Sequence, residues 1–513
     1  MADTKREIER KYELPELPDA EGPAGLPDLT RARGVASVLA EGVVELDAVY
    51  YDTADQRLAA GRLTLRRREG GDDAGWHLKF PVATGIRDEL RAPLGDTVPD
   101  ELVALASART LGAPLVPVVR LRTARDVSQL YAADGERLAE VSVDTVRAER
   151  LAGAVAGHPA TAAWTEVEVE LAEGADPAVL DAVEKKLRKA GLRPAVAPSK
   201  LSRALQETAP AARDATGPSG TAGDHVLAYL RAQIEAIVTQ DPAVRRDLPD
   251  SVHQLRVATR RLRSAFRSYR KVLDRSVTDP IGTELRWLAG ELGVDRDNEV
   301  LTQRLSAHID DVPRTLLLGP VESRLRIWSV ARRSGSRERT LAVLDSERYR
   351  ALLTALDALL TEPPLRKGAE RTPGTVLPRA LLKGYARLAR RTEHALSLAP
   401  GKERDVALHS ARKAAKRARY AAEAATPALG KPADRFRKRV KDVQSTLGDH
   451  QDSVVARETL REIGIAAHAA GETAFTWGLL YGEEEARSAA LERELTVVWA
   501  ESSRRKWRSA LTG

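Results

Sequence analysis

Near residue 210 the hydrophobic pattern of this chain changes period. Upstream, apolar and charged residues alternate, as in Leu63-Thr64-Leu65-Arg66-Arg67-Arg68, Trp76-His77-Leu78-Lys79-Phe80 and Trp164-Thr165-Glu166-Val167-Glu168-Val169-Glu170-Leu171. A period of two puts apolar side chains on one sheet face and charges on the other. Downstream, segments rich in Ala, Leu, Arg and Glu repeat at helical spacing nearly to the end of the sequence. Between the two patterns lies a stretch from Pro210 to Gly223, rich in Pro, Gly, Ser and Ala, which reads as a flexible linker. The expected architecture is multidomain α+β. A β domain spans 3–206, a linker 207–223 and an all-α domain 224–508. One helix is expected from about Pro177 to Ala190, stopped by Gly191. Prolines at 313, 363, 364, 373, 400 and 427 divide the α-helical half.

The chain has no cysteine, which excludes disulfides and thiolate metal sites. Any metal must then sit on oxygen or imidazole. No run approaches the roughly 18 apolar residues of a membrane span, and the first residues lack the apolar core of a signal peptide. A cytoplasmic address without membrane partners is expected. The 81 basic and 74 acidic residues give a net charge of only +7, so their distribution carries more information than their sum.

Acids dominate two strand-like segments. Alternation puts Glu7, Glu9 and Lys11 on one face, and Glu166, Glu168 and Glu170 on one face of another segment. Stacked carboxylates repel, so such a face must be solvated, paired or metal-bound. Between these segments lie Arg66, Arg68, Lys79, Arg87 with Glu89, then Arg120, Arg122 and Arg125, then Glu140 and Asp144. Closing a sheet over that inventory places bases for phosphate beside acids for Mg²⁺ or Mn²⁺.

Bases dominate two helices. His253, Arg256, Arg260, Arg263, Arg267 and Arg270 fall within about a 100° arc of one helix, with Leu255, Ala258, Leu262, Ala265, Phe266 and Tyr269 opposite. His409, Arg412, Lys416 and Arg419 repeat the stripe, and neither 253–270 nor 409–420 contains an acid. Like charges one turn apart repel by a few tenths of a kcal/mol, a cost that a bound polyanion relieves. A second pair of motifs, Leu292-Gly293-Val294-Asp295-Arg296-Asp297 and Leu447-Gly448-Asp449-His450-Gln451-Asp452, repeats at an offset of 155 against 156 for the first pair. The helical half is therefore an internal duplication, about 224–360 and 375–508, its two copies facing each other. One such stripe is an ordinary solvated face; two matching ones point to a shared ligand. Aromatic residues are only 4%, too few for stacking along single-stranded nucleic acid, which leaves a base-free chain of phosphates as the better partner.

The ordered set Glu7-x-Glu9-x-Lys11, Tyr50-Tyr51-Asp52-Thr53, Leu65-Arg66-Arg67-Arg68, Leu78-Lys79, Arg87-Asp88-Glu89, Glu166 to Leu171 and Ser199-Lys200 resembles the CYTH, or triphosphate tunnel, superfamily over about 5–205. That resemblance implies an antiparallel eight-stranded tunnel barrel with flanking helices. It implies metal ligands at Glu7, Glu9, Glu168 and Glu170, and phosphate contacts at Arg66, Arg68, Lys79, Arg87, Arg122, Arg125 and Lys200, with Lys11 near the terminal phosphate. Glu89 or Glu166 would orient the attacking water; the sequence does not choose between them. The histidine-led helices and the Leu-Gly motifs resemble the CHAD family over about 222–505, implying inorganic polyphosphate contact at His253, Arg256, Arg260, Arg263, Arg267, His409, Arg412, Lys416 and Arg419. The expected function is a Mg²⁺- or Mn²⁺-dependent inorganic triphosphatase with a polyphosphate-binding domain, able to associate with polyphosphate granules. The alternatives are a non-catalytic polyphosphate-binding protein, or a nucleotide or thiamine triphosphatase or class IV-type adenylyl cyclase. Residues 310–375 show no readable chemistry.

Overall fold

A computed structural model of the protein describes residues 3–14, 26–152, 160–208, 220–333 and 335–511. Most of the expected linker, 209–219, lies outside the described residues, as do the side chains of 294–297, which include Arg296 and Asp297. The chain forms two compact units, Met1–Ala215 and Thr216–Gly513. No helix among the described residues is long and apolar enough to cross a membrane.

The first unit is a closed antiparallel barrel. Its strands are β1 (Asp3–Glu13), β2 (Ser37–Asp52), β3 (Thr64–Glu69), β4 (Gly75–Ala83), β5 (Ile86–Ala92), β6 (Val116–Tyr131), β7 (Arg137–Arg150) and β8 (Thr161–Leu171), with a two-residue β9 (Arg193–Pro194) added beside β1. The order is β5-β4-β3-β2-β6-β7-β8-β1, and β1 closes the ring by pairing its first half with β5 and its second with β8. Gly85, at the β4–β5 turn, has φ +72°, and a Cβ there would stand 2.7 Å from the carbonyl oxygen of Glu9. The turn can approach β1 only because the residue is glycine.

The barrel is inverted relative to a water-filled surface: apolar residues face outward, beneath helices. Val167 and Val169, between the glutamates, are buried with Val141, Tyr12 and the helix Ala178–Lys189 through Val179, Val183 and Leu187. Gly191 follows that helix with φ +96°, the expected stop. Leu65, Leu78 and Leu90 pack in the same way against Leu102, Leu105 and Ala106 of the helix Asp100–Thr110. The inward faces are charged except at one end. There Leu201, Ala204 and Leu205 of the helix Lys200–Glu207 pack on Tyr50, Leu121, Val146 and Trp164. Ser199 caps that helix, its Oγ accepting the Ser202 N–H at 3.1 Å, which fixes Lys200 at the first helical position.

The second unit is all helical. Leu255, Ala258, Leu262, Ala265, Phe266 and Tyr269 are buried, as the amphipathic pattern of Ser251–Ser268 requires. Lys402–Leu429 carries the second stripe over a buried row of small residues that includes Ala411, Ala414, Ala418 and Ala422. Pro427 does not break this helix; it lies inside it, near the C-terminal end. The two helices pack on each other: Tyr269 Oη donates to the Ala421 carbonyl at 2.6 Å, and Arg260 Nε donates to Tyr420 Oη at 2.9 Å. Much of the unread stretch 310–375 folds as Val321–Arg333, Ser336–Asp345 and Glu347–Thr361.

Candidate functional site

Inside the barrel lies a cavity of about 400 Å³, lined by ten basic and eight acidic side chains. So nearly balanced a wall does not hold a multiply charged anion by itself; a cation must come with it or displace the internal pairing. The pairing is dense. Lys200 Nζ donates to Asp144 Oδ2, Glu166 Oε1 and Glu168 Oε1 at 2.8, 2.9 and 2.6 Å. Lys11 reaches Glu168 and, at 3.0 Å, Glu9. Lys79 holds Glu7 at 2.6 Å and Glu89 at 3.3 Å. Arg125 forks onto Asp144 at 2.8 and 2.7 Å and also reaches Glu168 at 2.8 Å.

These surroundings separate the carboxylates. Burial pushes the Glu168 carboxyl upward, but Lys11, Lys200 and Arg125 together hold it well below the usual range. Glu7 goes the other way. Burial raises it, Lys79 opposes, and Glu89 and Glu170 add to the rise. Two carboxylates in one cavity thus differ in proton affinity, the condition for distinct roles.

Arg66 and Arg68 each bury an Nε–H that has no acceptor. Burial, then Arg66 and Arg125, work against the charge of Arg68. A guanidinium keeps its proton, and here Arg68 meets Asp73 while Arg66 stands 3.7 Å from Glu89. Asp144, Glu166 and Glu168 offer oxygens all within 4.8 Å of one another and all buried, with the Lys200 ammonium against them. That all-oxygen set suits a hard divalent ion.

Of the expected residues, Glu7, Glu9, Lys11, Arg66, Arg68, Lys79, Arg87, Arg125, Glu168, Glu170 and Lys200 line the cavity. Glu89 and Glu166 lie behind its wall. Glu89, fully buried, takes His77 Nδ1 at 2.8 Å and Arg91 Nε at 2.6 Å besides Lys79. Glu166 accepts from Trp164 Nε1 at 2.7 Å and from Lys200. Arg122 is not brought to the cavity: β6 turns it outward, exposed, with Nε 3.7 Å from Asp47. Asp144, His77 and Arg91 belong to the site although only Asp144 stood in the charge inventory.

In the helical unit the two stripes converge. Burial, then Arg412 and Arg260, pull the Lys416 ammonium down to about 7. Arg260 belongs to the other copy, so the fields of both helices meet there. Arg412 and Arg419 each bury an Nε–H without an acceptor, and His409 Nδ1 is buried without a hydrogen-bond partner. In the first Leu-Gly motif a Cβ on Gly293 would stand 3.1 Å from Arg256 Nη2, so the glycine leaves room for that arginine; in the second, a Cβ on Gly448 would make only ordinary contact with Arg412, 3.8 Å from its Nε. Farther along, a cavity of about 480 Å³ is lined by Arg263, Arg267, Arg270, Arg275, Arg286, Arg387, Arg391 and Arg417 with a single acid, Asp279, already held by Arg275 at 2.5 Å. Arg275, Arg286, Arg387, Arg391 and Arg417 were not anticipated. For Arg387 and Arg391 the acid-free run from Pro373 to Thr392 was the available signal.

Comparison with known proteins agrees with this division. The CYTH domain model matches residues 5–203 and the CHAD domain model residues 228–461. An uncharacterised protein of Mycobacterium tuberculosis, found in two strains, is 40% identical over 493 residues, 93% of this chain and 92% of the relative. Among solved structures the chain is similar to PptA from Streptomyces chartreusis, at 22% identity and a TM-score of 0.47 over 55% of this chain and 100% of that one. It is also similar to the CHAD domain from the plant Ricinus communis, at 25% identity and a TM-score of 0.44 over 58% of this chain and 98% of that one.

Proposed function

Because the chain belongs to the CYTH family through residues 5–203 and to the CHAD family through residues 228–461, we propose that its barrel hydrolyses inorganic triphosphate and that its helical unit binds inorganic polyphosphate. The observation that carries the first half is the convergence of Arg66, Arg68, Lys79, Arg87, Arg125 and Lys200 with Glu7, Glu9, Glu168 and Glu170 on one cavity. Glu9, Glu168 and Glu170, with Asp144 and Glu166 behind them, would hold Mg²⁺ or Mn²⁺. When bound, such an ion neutralises phosphate charge and makes its water a better nucleophile. Lys11 and Lys200, which pair with these carboxylates, would turn their ammonium groups to phosphate oxygens. Arg66, Arg68, Arg87 and Arg125 clamp the equatorial oxygens, where charge spreads as the phosphoryl group transfers. Glu7, with its raised proton affinity, takes the proton of the attacking water. Lys79, 2.6 Å from Glu7, keeps that carboxylate in place.

The test uses the purified full-length protein with tripolyphosphate, ATP or long-chain polyphosphate and Mg²⁺ or Mn²⁺, following phosphate and cyclic AMP. Phosphate release from tripolyphosphate that disappears in Glu9→Ala supports the reading. Polymer binding with no turnover of any substrate favours a binding protein instead, and cyclic AMP from ATP favours a cyclase.

A further inference from the structure

The second Leu-Gly motif contains a histidine that the phosphate chemistry does not use. His450 lies in the middle of the helix Lys431–Ala469, is 3% exposed, and its Nε2 has no hydrogen-bond partner. That nitrogen points between two carboxylates from two other helices: Asp405 Oδ1, near the start of Lys402–Leu429, and Glu492 Oε1, on Phe475–Ser502, each 3.4 Å away. We infer that Asp405, His450 and Glu492 form a binding site for a divalent first-row transition ion of the Zn²⁺ or Mn²⁺ class, which ties these three helices together. The site lies in the helical unit, apart from the barrel's acidic cavity, and does not depend on what the barrel hydrolyses.

The distances favour an ion over a hydrogen bond. An imidazolium gripped by carboxylates closes to about 2.8 Å, and an ordinary N–H···O contact centres near 2.9 Å. A metal about 2.0–2.1 Å from nitrogen and oxygen ligands holds them roughly 3.3 Å apart along a tetrahedral edge, close to the spacing seen here. The three ligand atoms all lie within 4.8 Å of one another. The outer oxygens are fixed as well. Arg457 donates to Asp405 Oδ2 and Arg404 holds Glu492 Oε2, both at 3.1 Å, so each carboxylate turns its remaining oxygen inward. Outer partners of this kind orient ligands before the ion arrives. A cavity of about 410 Å³, lined by Arg404, Asp405, Arg457, Glu485 and Glu492, supplies a route of entry and space for water as a fourth ligand. One imidazole with two carboxylates selects against Mg²⁺ and Ca²⁺, which prefer oxygen throughout.

Co²⁺ is the probe, because its visible absorption reports four-coordinate geometry with nitrogen ligation. Full-length protein stripped with a chelator is titrated with Co²⁺ while absorption is recorded, and its Tm is measured with and without Zn²⁺. Expected are an intense visible band, its loss in His450→Gln, its persistence in a Glu9→Gln, Glu168→Gln double variant of the barrel, and a Zn²⁺-dependent rise in Tm that His450→Gln abolishes. Tripolyphosphate hydrolysis should be unchanged in His450→Gln. If that variant fails to fold, Asp405→Asn and Glu492→Gln carry the same test. A folded His450→Gln protein that keeps both the band and the Tm shift, or a wild type that shows neither, overturns the site and leaves a histidine ion-paired between two acids.

Discussion

Lys416 is the residue at which the two basic stripes act on each other, and its proton should report ligand binding. Burial, Arg412 and Arg260 bring its pKa from the ordinary 10.5 to about 7. A bound polyphosphate reverses that field, so between these values the free amine is neutral and the complex is protonated. Binding then takes up a proton, and affinity falls as pH rises through the window. Calorimetry at pH 8.5 in buffers of different ionisation enthalpy should reveal this uptake, and Lys416→Met should remove most of it. In the barrel, Glu7→Gln should lower kcat for tripolyphosphate about a hundredfold to ten-thousandfold, the range for losing a general base, with KM little changed. An equal loss in kcat/KM arising only from KM would refute that assignment. Sequence alternation found most of this wall because charges on one face of a strand travel together. Arg122, expected from the family resemblance, lies on the other face of β6 for a physical reason. The inward face of β6 runs from Leu121, over the plugging helix, through Thr123 to Arg125, so polarity does not mark which face is inside.

Strand β1 is the element on which the barrel turns, since it alone pairs with both β5 and β8. The Glu7-x-Glu9-x-Lys11 repeat was legible in sequence; its position at the seam was not, because pairing between segments far apart in sequence leaves no local trace. Gly85 holds that seam, its Cα without a side chain facing the Glu9 carbonyl. Gly85→Ala must leave its positive φ or push β1 away, at a cost of about 1–3 kcal/mol. Thermal unfolding of the barrel should shift down accordingly, and tripolyphosphate turnover should fall more than stability explains, because Glu9 moves with its backbone. Polyphosphate retention by the helical unit should be unaffected. Among the helices, duplication was visible as repeated motifs, whereas the reason for Gly293 became visible only where Arg256 lies against it. The contribution of Pro373–Ser397 went unread because its arginines follow no histidine-led motif, although Arg387 and Arg391 stand on the basic cavity.

Across the whole molecule, the two units carry different charge arrangements, and salt should separate the two activities proposed for them. The barrel's wall is almost neutralised from within, so its affinity for triphosphate comes with the divalent ion. The helical cavity is uncompensated, with eight arginines against one already paired aspartate. A linear polyanion releases condensed counterions when bases replace them, so log affinity falls steeply with log salt in proportion to the contacts made. Polyphosphate binding by the full chain should therefore weaken by orders of magnitude between low and moderate NaCl, whereas KM for tripolyphosphate at saturating Mg²⁺ should change only a few-fold. The composition hid this contrast, because a net charge of +7 averages over both units. The decisive variant is Arg267→Ala with Arg417→Ala, which removes one arginine from each copy's helix at the shared cavity. Each lost charge-assisted contact is worth about 1.5–3 kcal/mol, so binding should fall roughly a hundredfold or more and its salt slope should flatten, while kcat and KM for tripolyphosphate stay at wild-type values. A double variant that loses turnover but keeps polymer binding and its salt slope would mean that catalysis depends on the helical unit and that the polymer lies elsewhere.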